Sequence, residues 1–76
     1  SVLFIASIIQ LGKERKQFQA SIEPLEEAKY IFATIEGAIM MSKLANSPSI
    51  LNSILAKLKK QVNLSYSISR KYKNQL

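Results

Sequence analysis

The sequence predicts an all-α fold of three antiparallel helices, the last two of which pair with a second copy of the chain in a four-helix-bundle dimer interface. Apolar residues recur at helical spacing along much of the chain, and its two prolines stand where helices would begin. A chain of 76 residues without cysteine buries a thin core and has no disulfide, so a partner subunit is expected to add stability. The predicted helices span residues 2–19, 24–44 and 48–64, and a basic tail follows at 65–76.

The first predicted helix carries Phe4, Ile8, Leu11 and Phe18 at helical spacing. Gly12 interrupts this pattern and a polar run follows, so the helix is expected to be weak or bent there. The apolar start is shorter than the ~20 residues that a bilayer-spanning helix needs. It is therefore interpreted as a buried helix of a globular chain.

The second predicted helix begins at Pro24, with Glu23 as its N-cap and two glutamates in its first turn, where negative charge suits the helix dipole. The helix has two adjoining apolar stripes, which together are wider than one small packing face requires. The stripes consist of Leu25, Ala28, Phe32, Ile35 and Ile39, and of Ile31, Ala38 and Met41.

The third predicted helix begins at Pro48 after the N-cap residue Ser47. Leucine, isoleucine and valine follow on one side, with asparagine and lysine on the other. Beyond residue 64 the alternation of Leu64, Tyr66 and Ile68 would suit a strand, but no partner strand is visible. A frayed helical extension is the preferred interpretation.

Charge is distributed unevenly along the chain. Residues 1–36 hold four basic and five acidic residues, whereas residues 37–76 hold seven basic and no acidic residues. The basic half is typical of a solvated lysine face, but two other functions stay open: a small nucleic-acid-binding module, or a helical protein that lies on a membrane surface with its apolar start and basic tail. The candidate nucleic-acid contacts are Lys57, Lys59, Lys60, Arg70, Lys71 and Lys73.

Catalysis is not expected. The chain has no histidine for proton transfer and no cysteine nucleophile, and it lacks a glycine-rich phosphate loop. The carboxylates of Glu23, Glu26 and Glu27 cluster at a helix start, where capping and the dipole explain them. Without histidine, cysteine or aspartate no metal site is expected, and no cofactor is implied.

The stretch from Ala28 to Val62 resembles the last two helices of TetR-family transcriptional regulators. The penultimate helix of that family often has an alanine near its start and a Glu-Gly-Ala-like triplet in its second half, followed by a short loop and a leucine-rich helix. Lys16 departs from the pattern, because a second glycine is common there. The matching features, in order, are Gly12, Phe18, Glu23-Pro24, Ala28, Glu36-Gly37-Ala38, Ser47-Pro48 and the leucine helix.

The resemblance implies the C-terminal part of a bacterial, cytoplasmic repressor that forms a homodimer, senses an unknown small-molecule effector and does not engage membranes. Operator DNA would be bound by an N-terminal helix-turn-helix domain that this chain does not contain. Phe4, Ile8, Leu11 and Phe32 are candidates for the wall of the effector pocket. The candidate dimer interface consists of Ile31, Ile35, Glu36, Gly37, Ala38, Met41, Leu51, Ile54, Leu55, Leu58 and Val62.

Gly37 is the central residue of this hypothesis. A glycine inside a helix costs about 1 kcal/mol relative to alanine, so its position calls for a structural reason. Close approach of a second copy is one reason, with Glu36 at the margin of the interface near a cation such as Lys43. The alternative is a crowded helix crossing within the chain, with Glu36 facing water.

Overall fold

Three α-helices make up the protein in a computed structural model that describes residues 1–66. They are α1 (Val2–Glu14), α2 (Pro24–Ala45) and α3 (Pro48–Tyr66), and no β-strand occurs in this part of the chain. The predicted all-helical fold of three helices is therefore confirmed. The predicted bundle with a second copy concerns an assembly and stays a prediction.

Helix α2 is the central element, because it packs against both α1 and α3, whereas no close backbone contact joins α1 to α3 within the described residues. Helices α2 and α3 are antiparallel: Tyr30 bonds to Gln61, and Glu27, earlier on α2, bonds to Tyr66, later on α3. The Cα atoms extend over 47 × 27 × 13 Å. Such a thin arrangement covers only part of each helix surface.

The core is a cluster of side chains from α1, the α1–α2 connection, the start of α2 and the end of α3. Its most buried members are Ile9, Ile22, Ala28 and Tyr66, which are at most 8% exposed. Partly buried apolar side chains surround them, among which is Phe18. Because this core is small, many large apolar side chains elsewhere are left in contact with solvent.

The starts of α2 and α3 agree with the prediction. Pro24 occupies the first turn of α2, where its missing N–H needs no partner. The Glu23 side chain makes no capping hydrogen bond, and its backbone carbonyl accepts the Glu27 N–H at 3.0 Å instead. Helix α2 ends one residue later than predicted, at Ala45, and α3 ends two residues later, at Tyr66. The remainder of the predicted basic tail lies outside the described residues.

Helix α1 is shorter than predicted, because it ends at Glu14 and not at residue 19. Lys16 has a φ of 59°, in the left-handed region, which terminates the helix. The Lys16 N–H donates to the Lys13 carbonyl at 3.0 Å, and the Gln17 N–H donates to the Gly12 carbonyl at 2.8 Å. These two bonds form a Schellman motif with lysine at the position that glycine usually occupies.

The left-handed conformation of Lys16 predicts that Lys16→Gly stabilises the chain. A side chain in this region costs about 1–2 kcal/mol, part of which is offset by the greater freedom of glycine in the unfolded state. The expected gain in the free energy of unfolding is about 0.5–1 kcal/mol, measured by urea denaturation. Lys13→Gly is the matched control and should destabilise by about 1 kcal/mol, because Lys13 lies within the helix. Equal effects of the two substitutions would contradict this explanation.

Candidate functional site

The side of α2 that faces away from α1 and α3 is apolar and exposed. Residues 30, 33, 37, 40 and 44 are separated by alternating steps of three and four, so they share one face of the helix. Tyr30 is 48% exposed, Met40 63% and Leu44 82%, and the two smaller residues are also exposed. A helix that is apolar on both sides is typical of a buried helix. This surface, called the outer face of α2, comprises Ala33, Gly37, Met40 and Leu44, whereas Tyr30 lies at its border and donates its hydroxyl to Gln61 of α3.

Gly37 lies in open space within the single chain. A Cβ atom built on Gly37 would meet no described atom within 4 Å outside its own helix backbone and chain neighbours. The described helices therefore do not cross closely at this residue, and the alternative interpretation of a crowded crossing within the chain does not account for the glycine. Packing within the described chain thus gives no reason to accept the helix-propensity cost of glycine here.

The residues predicted for a dimer interface occupy two different environments. Ala38 and Leu58 are 1% and 8% exposed, because α2 and α3 cover them within the same chain. Their burial follows from the antiparallel pairing of the two leucine- and isoleucine-rich faces. Any role of these two in self-association would be indirect. Of the rest, Ile31, Ile35, Leu51, Ile54 and Val62 are half-buried, and Glu36, Gly37, Met41 and Leu55 are exposed.

Two opposite charges border the outer face of α2. Glu36 and Lys43 are both exposed and lie seven residues apart, on the same edge of the helix. The ion pair found among the described residues joins Lys29 Nζ to Glu26 Oε1 at 3.1 Å, and it involves neither of them. Seven residues correspond to about 10 Å along a helix, which is too far for a direct bond between the two side chains. Both charges thus remain available to a neighbouring molecule.

The four residues predicted to line an effector pocket are exposed. Phe4 is 66% exposed, Ile8 51%, Leu11 47% and Phe32 36%. Helix α1 is consequently not the buried helix that its composition predicts, because only Ile9 and Gly12 among its residues are buried. The pocket itself stays a prediction. Leu11 lines an open groove between α1 and the start of α2, together with Leu3, Ala6, Gln10, Glu14 and Leu25.

A polar cleft, lined by Gln19, Glu27, Tyr30, Gln61 and Tyr66 among others, lies between the start of α2 and the end of α3. The Tyr66 hydroxyl donates to Glu27 Oε2 at 2.5 Å, and the Tyr30 hydroxyl donates to Gln61 Oε1 at 3.0 Å. The Gln19 N–H donates to the Tyr66 carbonyl at 2.7 Å. These hydrogen bonds join the end of α3 to both the α1–α2 connection and α2.

The ring of Tyr66 also holds the end of α3 in place. It packs edge-to-face against Phe18, with ring centroids 5.7 Å apart and planes at 78°. Burial, together with the hydrogen bond to the Glu27 carboxylate, raises the pKa of the Tyr66 phenol above its ordinary value of 10.0. A helical extension is the preferred interpretation of the sequence beyond residue 64, and α3 does include Tyr66, but no local pattern predicts the contacts of its side chain.

Removal of the Tyr66 hydroxyl should therefore destabilise the fold. Tyr66→Phe keeps the ring but loses a hydrogen bond to a charged acceptor, with an expected cost of about 1.5 kcal/mol. The phenol stabilises the native state fully below its unfolded-state pKa near 10, and this contribution is lost as the pH rises further. Urea denaturation between pH 7 and pH 11 should thus show a steeper alkaline loss for the wild type than for Tyr66→Phe. Tyr30→Phe is the control and should cost only about 0.5 kcal/mol, because Tyr30 is exposed and its acceptor is neutral.

The basic residues suggested for nucleic-acid contact are only partly described. Lys57, Lys59 and Lys60 are exposed on α3. The predicted contacts Arg70, Lys71 and Lys73 lie outside the described residues. Lys60 lies on the side of α3 opposite to the buried Leu58, and Lys59 lies at the flank between them.

No group of three or more potential ligand side chains is placed to hold a metal ion within residues 1–66. Among the three described helices, none has the combination of length and hydropathy needed to cross a membrane.

Comparison with protein-family models, with curated proteins and with solved structures finds no match to this chain. The TetR-like reading therefore depends on the order of residues along the sequence, and it remains a proposal.

Proposed function

We propose that this chain is a self-association module, namely the dimerisation and ligand-sensing C-terminal region of a TetR-like transcriptional repressor. The single observation that carries the proposal is the outer face of α2, an apolar helix surface with an open glycine at its centre. Exposed apolar faces of this kind mark interaction surfaces.

A rough comparison of free energies supports pairing of two copies. Met40 is about three-fifths and Leu44 about four-fifths exposed, so burial would contribute about 1–2 kcal/mol per side chain. A two-fold dimer buries each of them twice. The total contribution of burial is comparable to the association cost of about 4–15 kcal/mol. The buried area alone therefore does not decide the affinity, and complementarity of shape and charge must contribute.

Two further features support the TetR-like part of the proposal. Lys16 adopts a left-handed conformation, which favours glycine, at the position where that family commonly has one. Gly12 and Phe18, two other matching positions, are in direct steric contact, because a Cβ on Gly12 would lie 2.3 Å from Phe18 Cδ2. Both features concern the turn that precedes the penultimate helix of the family.

In this proposal the intact repressor is a cytoplasmic homodimer that binds operator DNA through a separate helix-turn-helix domain. The effector would contact the exposed apolar side of α1 through Phe4, Ile8 and Leu11, together with Phe32 on α2. Effector binding could then change the position of α1 relative to α2, which is also the helix of the outer face.

A fusion protein tests the proposed function. The full chain would be joined to a helix-turn-helix domain, called the reading head, that binds its palindromic operator only as a dimer. Each half-site of the palindrome is bound by one reading head, so two are required. Operator affinity should rise at least about tenfold over the isolated head. The fusion that carries Gly37→Leu is the matched control and should bind like the head alone. Equal affinity of the wild-type fusion and the isolated head would contradict the proposal.

A nucleic-acid-binding module is the second candidate, since three exposed lysines on α3 are followed by no acidic residue in the sequence. Affinity of the isolated chain for DNA that falls steeply with salt, in a gel-shift titration, would favour this function. Sequence preference that survives physiological salt would favour it further and would contradict the need for a separate reading head.

A further inference from the structure

The outer face of α2 pairs small and large side chains in a regular order. Ala33 and Gly37 are followed by Met40 and Leu44, and the large pair is more than three-fifths exposed. Alternating steps of three and four residues are the spacing by which one helix packs lengthwise against another. The face is thus suited to a helix that presents large side chains to the small pair and small side chains to the large pair.

We propose that the occupant of this face is the same face of a second copy, in antiparallel orientation, with the two-fold axis between Gly37 and Met40. Met40 of one chain then lies over Gly37 of the other, and Leu44 lies over Ala33. The two-fold axis produces each contact twice. The inference rests on the proposed self-association and adds its direction and register.

Side-chain volume favours this orientation over a parallel one. In a parallel pair each residue of the face meets its own copy, so Leu44 would meet Leu44 and Gly37 would meet Gly37. The levels of Met40 and Leu44 would each hold two large side chains, whereas the level of Gly37 would hold none. The void next to glycine would lose van der Waals contacts. In the antiparallel register each layer contains one small and one large side chain, which fills the space evenly.

The bordering charges favour the same orientation. In the antiparallel register Glu36 lies about 3 Å along the axis from the level of Lys43 of the second copy, within reach of an ion pair. The symmetry creates two such pairs, and both side chains are exposed and unpaired among the described residues. In a parallel pair Glu36 would lie beside Met41 of the second copy, and neither charge would gain a partner.

Disulfide cross-linking tests the direction and register. The chain has no cysteine, so introduced thiols are the only ones present. A mixture of Ala33→Cys and Leu44→Cys chains should give a disulfide-linked heterodimer under mild oxidation, and neither variant alone should cross-link. In the antiparallel register the two like positions lie about 16 Å apart along the axis, beyond the span of a disulfide.

The outcomes separate this inference from the proposed function. Cross-linking of each variant with itself, or a wild-type dimer by sedimentation without the mixed disulfide, would overturn the antiparallel register and leave self-association intact. A wild-type monomer by sedimentation would overturn both. Circular dichroism of each cysteine variant confirms that the helices are retained, because both side chains are exposed in the single chain.

Charge reversal tests the ion pairs independently. Glu36→Lys and Lys43→Glu should each raise the dimer dissociation constant about tenfold at low salt, because each replaces two attractions with two repulsions. The double variant, or an equal mixture of the two single variants, should restore association. Lys60→Glu on α3 makes the same change in net charge and should have little effect. Equal weakening by Lys60→Glu and Lys43→Glu, or no rescue in the mixture, would overturn the assignment of the pairs.

Discussion

Replacement of Gly37 by leucine should strongly weaken self-association without unfolding the chain. The single chain has open space at Gly37, so the new side chain projects into solvent and leaves the described packing unchanged. In the dimer it would occupy the contact with the second copy, and symmetry places two such side chains in one interface. Overpacking on this scale costs at least about 2 kcal/mol in total, which corresponds to a dissociation constant roughly thirtyfold higher. Sedimentation velocity measures the change directly.

Two controls accompany Gly37→Leu. Circular dichroism should show undiminished helix content, because leucine has a higher helix propensity than glycine. Asn52→Leu adds the same side chain at an exposed position on α3 and should leave association nearly unchanged. A dimer that tolerates Gly37→Leu as well as Asn52→Leu would show that the outer face of α2 is not the interface.

Substitution of the other glycine should have the opposite consequence, a large loss of stability in the chain itself. A Cβ on Gly12 would lie 2.3 Å from Phe18 Cδ2 and 2.5 Å from Cε2, far inside contact distance. The Phe18 ring cannot withdraw freely, because it packs edge-to-face against Tyr66. Gly12→Ala should therefore lower the free energy of unfolding by about 1–3 kcal/mol, although alanine is the better helix former. Urea denaturation gives the value.

A double-mutant cycle isolates the Gly12–Phe18 contact. In a Phe18→Ala background the obstructing ring is absent, so Gly12→Ala should become neutral or stabilising by up to about 1 kcal/mol. Gly37→Ala, studied at concentrations where the chain is monomeric, makes the same change in open space and should stabilise by about 1 kcal/mol. Additive effects at Gly12 and Phe18 would refute the steric explanation.

The helix starts could be predicted from sequence because their determinants are local. Pro24 and Pro48 fix the backbone at the first helical position, and the structure begins α2 and α3 at these residues. The apolar spacing along α2 and α3 likewise predicts the faces that meet. Such signals act within a few residues, so they do not depend on the rest of the fold.

The missed features depend on contacts between distant residues or on rare conformations. The polar run after Gly12 was compatible with more helix, whereas Lys16 adopts a left-handed conformation that lysine seldom takes. The hydrogen bond from Tyr66 to Glu27 joins residues 39 positions apart, and no local sequence pattern predicts such a bond. The burial of Ala38 and Leu58 within the chain also required the relative position of α2 and α3.

The candidate site was predictable in part. Gly37 was singled out from sequence because a helix-interior glycine is costly, and the structure adds that described packing within the chain does not explain it. Met40 and Leu44 were missing from the predicted interface, although their spacing from Gly37 places them on the same face. A test of the sequence for a second apolar face on α2 could have found both.

Sedimentation equilibrium of the wild-type chain across a wide concentration range tests self-association most directly. One chain has a mass of 8.5 kDa. We expect an average mass that rises with concentration in the micromolar range towards twice that value and then stops, because a two-fold interface closes on itself. A mass of 8.5 kDa at every concentration would contradict it.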